Sequence, residues 1–189
     1  VGQPIKVMFV ENHYPIYTVS NLNPSGYYLR GEPQTSYGVG WYKGLADFLT
    51  GQGYDVSTLN RGSVLTPDSI QNVQTLVILG SGIVTENFSN SEIDVIENFV
   101  KKGGSLFLIV NWGDYAKILN PIANRFNASF DRLSMDRRTN GSSETAFYLY
   151  RPDEIHKHPA TADVSTVRCN LVNIIESNPE RAIPLITMP

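Results

Sequence analysis

The chain has 189 residues, 41% of them hydrophobic and 17% charged, with a formal net charge of −3 and a single cysteine, Cys169. That length and apolar share suffice for a core without staples, and they exclude a disordered chain, an internal disulfide and a cysteine-built metal site. Lys101-Lys102 and Arg137-Arg138 are the only basic doublets, too few for the clustered basic face that nucleic acid requires, and no apolar run exceeds about six residues, against the roughly 20 that insert into a bilayer.

In chain order, residues 5–10 form a short β-branched apolar run that predicts a buried strand. A long loop follows to about residue 40, carrying Tyr14, Tyr17, Tyr27, Tyr28 and Tyr37 among three prolines. Loops of this length inside compact domains are commonly functional. Residues 41–50 predict a helix with Leu45, Phe48 and Leu49 on one face, stopped by Gly51 and Gly53. A strand is predicted over 54–59. Thr66 and Pro67 then suit the N-cap and first turn of a short helix.

A third strand over 75–79 ends in Gly80-Ser81-Gly82. The clearest helix spans 89–102, where Ile93, Ile96, Phe99 and Val100 recur at helical spacing between a Ser89 or Ser91 cap and a Lys101-Lys102-Gly103 stop. Residues 105–110 predict a fourth strand, and 114–126 a helix that Pro121 should kink or divide. The last third changes character, with strands predicted at 129–133, 144–150, 166–175 and 183–187 and little helix between them. Four strands alternating with helices predict right-handed βαβ units: an α/β, flavodoxin-like three-layer fold with a central, mostly parallel sheet and extra strands in the C-terminal third. Residues 1–189 read as one unit. The chain starts at Val1 and stops at Pro189 in what looks like the beginning of another element, so a piece of a longer chain is expected.

Ligands of open parallel sheets bind beyond the carboxyl ends of the strands, which selects four segments. Glu11-Asn12-His13 offers a carboxylate beside an imidazole, a pairing suited to acid–base chemistry. Gly80-Ser81-Gly82 can present backbone N–H groups to an anion, but it lacks the Lys-Ser/Thr ending of a phosphate loop and does not open a helix after the first strand as a dinucleotide fingerprint does, so no cofactor is implied. Asn111-Trp112 follows the fourth strand. His156 and His158 stand at i and i+2, and need His13 and Glu154 to complete a zinc set, so no metal is assigned. No Gly-x-Ser-x-Gly elbow is present for a serine nucleophile.

These pieces together resemble the class I glutamine amidotransferase-like superfamily. The resemblance runs from Ile5 to about Pro159. It is carried by the first strand, Gly51-Gln52-Gly53-Tyr54-Asp55-Val56, Leu65-Thr66, Thr75-Leu76-Val77-Ile78-Leu79-Gly80, Phe88-Ser89 leading into Glu92-Ile93, residues 96–106, and His158-Pro159-Ala160-Thr161. Within the superfamily the chain is most similar to non-catalytic members: trehalose-utilisation-like domains, sugar-transport-associated domains, and the N-terminal domain of an intraflagellar-transport subunit. In active members a cysteine follows the fourth strand, and the resemblance puts Asn111 at that position, where there is no thiolate to activate. The family's late His-Pro-Glu is matched by His158-Pro159-Ala160, so the acid is missing as well. Gly80 and Gly82 match the oxyanion-hole region.

The sequence therefore predicts a module that is not a glutamine amidotransferase. It is expected to bind other domains of its own chain or a protein partner, with a small-molecule or sugar ligand at Gly80, Ser81, Gly82, Asn111 and Trp112, in a larger extracytoplasmic or surface protein. Two alternatives stand beside it. One is a hydrolase acting on sugars or peptides through Glu11, His13, Asn111 and His158 or a metal. The other is a purely structural domain.

Overall fold

The computed structural model describes residues 2–13, 18–19, 42–60, 62–80, 87–110, 116–135, 147–170 and 172–187. The tyrosines at 14–37, together with Ser81, Gly82, Asn111 and Trp112, lie outside the described residues.

Four strands form a parallel sheet: β1 (Lys6–Val10), β2 (Asp55–Leu59), β3 (Thr75–Gly80) and β4 (Ser105–Val110), in the order β2-β1-β3-β4. Phe9 stands between Thr58 and Val77, and Val77 pairs onward with Phe107. This is an α/β arrangement with a central parallel sheet flanked by helices, consistent with a flavodoxin-like fold.

Both faces of the inner strands are covered, which is why β1 and β3 read as continuous apolar runs rather than alternating ones. Val7, Phe9, Val77 and Leu79 point to one face and meet Ala46, Leu45 and Leu49 of helix α1 (Lys43–Gly51). Val10, Leu76 and Ile78 point to the other. There they meet Ile93 and Ile96 of α2 (Asn90–Lys101) and Ile118, Leu119 and Ile122 of α3 (Ala116–Ala123). Phe9, Leu76, Ile78, Ile96, Leu119 and Ile122 are fully buried. Each contributes about 1.5–3 kcal/mol relative to exposure.

Phe48, expected on the inner face of α1, is 62% exposed. Ala46 takes the inward position between Leu45 and Leu49, and Phe48 lies off that stripe. Phe107 is 54% exposed, so among the described residues the α1 layer covers β1 and β3 but not the middle of the edge strand.

Helix ends are set by local chemistry. Ser89 caps α2 in a capping box with Glu92. At the other end, Gly103 at φ 95° sends its N–H to the Val100 carbonyl while Gly104 N–H bonds the Phe99 carbonyl. That is a Schellman closure, and it delivers the chain into β4 within two residues. Helix α1 closes the same way, through Gly53 to Thr50 and Tyr54 to Leu49.

The helix expected after Thr66 is a run of turns instead. Thr66 and Ser69 exchange reciprocal side-chain bonds at 2.9 and 3.2 Å, while Gln71 and Val73 N–H reach back only three residues, to Asp68 and Ile70. So short a segment, bonded i to i+3, does not propagate into an α-helix. Pro121 falls within α3, which gives way to a 3-10 turn at Asn124–Phe126.

The C-terminal third builds two antiparallel pairs apart from the parallel sheet. Strand β5 (Ala128–Met135) pairs with β8 (Val172–Ser177), and β6 (Phe147–Tyr150) with β7 (Val167–Asn170). The final expected strand, 183–187, makes only an isolated bridge between Ile155 and Ile186. Asn120 ties the β5–β8 pair to α3: its side-chain amide donates to the Phe130 carbonyl at 2.9 Å and accepts from the Phe130 N–H at 2.7 Å.

Candidate functional site

The strand order reverses between β1 and β3, so the crevice beyond their carboxyl ends is where an open α/β sheet of this kind holds a ligand. Residues 11–13 leave β1 at that point, and α2 returns to it after β3. Three side chains meet there. Glu92, the third residue of α2, is 5% exposed and Asn12 is equally buried; His13 lies at the rim, with its side chain 15% exposed.

Glu92 organises the group. Its Oε1 accepts from His13 Nε2 at 2.9 Å, from Asn12 Nδ2 at 3.0 Å and, at a longer 3.4 Å, from the backbone N–H of Leu65. Its Oε2 accepts from the Ser89 N–H at 3.0 Å and the Ser89 hydroxyl at 2.8 Å. Burial works against ionisation of this carboxyl. The Ser89 N–H, the His13 bond and the Ser89 hydroxyl outweigh it, and the Glu92 pKa lies below its ordinary value of 4.5. The position also suits a negative charge, because the first-turn N–H groups of a helix carry its positive pole.

An ionised carboxylate only accepts, so the hydrogen of this bond sits on His13 Nε2, and whenever the ring is neutral its Nδ1 is an acceptor. The imidazole also lies against Phe88, with ring centroids 4.0 Å apart and planes inclined by 40°. Asn12 Nδ2 additionally reaches the Ser63 carbonyl at 3.3 Å, which fixes which end of the amide faces Glu92. With those bonds made, two atoms remain buried and unpartnered: Asn12 Oδ1 and His13 Nδ1.

The carboxylate that orients His13 is thus Glu92, from the first turn of α2, and not its sequence neighbour Glu11. Glu11 is buried after β1, where its Oε1 accepts the Val19 N–H and its own N–H bonds the Leu59 carbonyl. It ties the start of the following segment to the β2 end.

Gly80 ends β3, but its lack of a side chain serves packing. A Cβ there would come within 2.8 Å of the Leu119 side chain. The two late histidines do not join His13. His158 Nδ1 accepts the Ala160 N–H at 3.1 Å, capping the 3-10 turn Pro159–Thr161, and His156 Nε2 bonds the Thr187 hydroxyl at 2.9 Å. Among the described residues no three His, Cys, Asp or Glu side chains gather to hold a metal ion. No helix among them is long and apolar enough to cross a membrane.

Sequence reasoning places His13 in the site and misses Glu92. The signal is present in Ser89-Asn90-Ser91-Glu92, the serine-to-glutamate spacing of a capping box, which puts a carboxylate at the mouth of the helix that follows β3.

No protein-family model matches the chain. No curated protein matches it either. Among solved structures, it is similar in fold to the mmIFT52 N-terminal domain, with a TM-score of 0.64 and 13% sequence identity, over 91% of this chain and 73% of that chain.

Proposed function

We propose that the chain is a non-catalytic binding or interaction module built on a class I glutamine amidotransferase-like scaffold. One observation carries this reading: the buried carboxylates Glu92 and Glu11 at the strand ends, where an enzyme of this architecture keeps its reacting atoms, are engaged in holding the fold together. Glu92 receives five hydrogen bonds, from Asn12, His13, Leu65 and twice from Ser89. His158, the counterpart of the superfamily's late histidine, uses Nδ1 as a cap. In sequence, Asn111 falls where the resemblance puts the nucleophile, and a carboxamide does not form a thiolate-like attacking group. The likeness of fold to the mmIFT52 N-terminal domain supports the scaffold half of the reading. Partners are other domains of the same chain, a protein or a small molecule. Low lysine and abundant asparagine, serine and threonine support an extracytoplasmic or surface setting.

The competing hydrolase reading draws on the His13–Glu92 couple, since a carboxylate on one imidazole nitrogen leaves the other as a base. Turnover of glutamine, of chromogenic glycosides and of peptide amides separates the two. The expected result is no hydrolysis by the wild type above that of His13→Phe. Hydrolysis that His13→Phe abolishes, with folding intact, would overturn the proposal.

A further inference from the structure

The two unpartnered atoms beside Glu92 have a chemistry of their own. Asn12 Oδ1 and His13 Nδ1 belong to adjacent residues at the carboxyl end of β1, and both are buried. The amide orientation of Asn12 is fixed by its two acceptors, Ser63 and Glu92, and the tautomer of His13 by the Glu92 carboxylate. Neither atom can therefore become a donor by rotating. Leaving a buried acceptor unpaired costs about 1–3 kcal/mol, so the fold carries two such costs side by side at the switch point of its sheet. Asn12 is itself 5% exposed, its neighbour His13 is partly exposed, and Ser63, whose carbonyl it reaches, is an exposed residue.

We infer that Asn12 Oδ1 and His13 Nδ1 receive a hydroxyl-bearing neutral ligand, a polyol or sugar, whose O–H groups donate to both atoms. This deepens the binding reading above and rests on it.

The electrostatics decide between ligand classes. An anion would face two acceptors with the buried carboxylate of Glu92 behind them. A metal ion needs three or more ligands, and no such cluster exists among the described residues. An ammonium would exchange water for two neutral acceptors, because both Glu92 oxygens are already occupied by protein donors. That exchange leaves its charge poorly compensated. A hydroxyl gives up a water hydrogen bond and regains an equivalent one, without desolvating a charge.

Imidazole nitrogen NMR of the intact chain tests this, since only three histidines contribute. The probes are methyl glucoside and glycerol, with methylammonium and inorganic phosphate as controls. The expected result is a His13 spectrum with the proton on Nε2, and an Nδ1 resonance that shifts saturably with methyl glucoside or glycerol while His156 and His158 stay put. His13→Phe should weaken that binding about tenfold, as loss of one hydrogen bond with its partner left unpaired implies. Because the variant itself can misfold, the wild-type Nδ1 shift decides alone. No shift with either polyol, together with a long-lived water in contact with Asn12 and His13, would overturn the inference and assign the acceptors to an ordered water. A saturable response to methylammonium or phosphate instead would overturn it as well. The turnover assays bear on the non-catalytic reading separately, so the two proposals fail by different measurements.

Discussion

Replacing Glu92 by glutamine keeps the size of the side chain and removes its negative charge and its ability to accept on both ends. Five donors converge on this carboxylate, three on Oε1 and two on Oε2. A carboxamide offers one oxygen, so its NH2 must face one set of donors. Turned towards Asn12 and His13, it opposes two N–H donors in the more buried half of the site. Turned towards Ser89, it breaks the capping box, at about 1 kcal/mol. The second orientation is the cheaper. It still converts the Asn12 and His13 bonds from charge-assisted to neutral, losing about 1 kcal/mol from the pair, and forfeits about 0.5 kcal/mol of charge–helix attraction. The sum is about 2.5 kcal/mol, or a drop in Tm of about 5–10 °C for a chain of this size.

Urea denaturation at neutral pH measures the loss, and a difference below about 1 kcal/mol would refute the reasoning. The pH dependence gives an independent check. Because the folded-state pKa of Glu92 is depressed, its contribution is fully present above the ordinary value of 4.5 and disappears as the pH falls through the lower folded-state value. Wild type and Glu92→Gln should therefore converge in stability under acid. A gap that persists unchanged well below 4.5 would show that ionisation is not its source.

Gly80→Ala should cost about 1–3 kcal/mol by overpacking against Leu119, and Leu119→Ala in the same chain should make the pair less than additive in a denaturation cycle. Asn120→Ala should cost about 2 kcal/mol and accelerate hydrogen exchange at the Phe130 amide, whose N–H and C=O both lose their partner. His158→Ala should cost less than about 1 kcal/mol in thermal melts and leave ligand binding unchanged, because its ring only caps the 3-10 turn Pro159–Thr161.

The parallel half of the fold is legible in the sequence because its signals are local. The apolar runs of β1, β3 and β4, the Ser89 cap and the glycine stops of α1 and α2 each act over a few residues. The turns after Thr66 read as a helix because a helix cap and an isolated capped turn share the same Thr-Pro opening; only the length of the segment behind that opening tells them apart. The last strand fails for the opposite reason. Residues 183–187 have strand composition, but among the described residues they contribute one bridge, through Ile186, and strand formation needs a partner that composition does not name.

The site is half visible. His13 follows from the strand-end rule, whereas its carboxylate comes from 79 residues away, and proximity in sequence points to Glu11 instead. Gly80 reads as part of an anion cradle, yet its absent side chain makes room for Leu119, a contact set by how α3 crosses the sheet.

The Schellman closure of α2 also constrains how this chain can change over evolution. Gly103 and Gly104 hand the chain to β4 with no spare residue, and the strand then alternates: Leu106, Leu108 and Val110 face back towards α2 and α3, while Phe107 and Ile109 face the other way. A slip of β4 by one residue against β3 would exchange the two sets, burying Phe107 under α2 and turning two leucines outward. Residues inserted between Lys102 and Ser105 must therefore be taken up entirely in the turn, at the expense of the Schellman closure, while the β3–β4 register stays fixed.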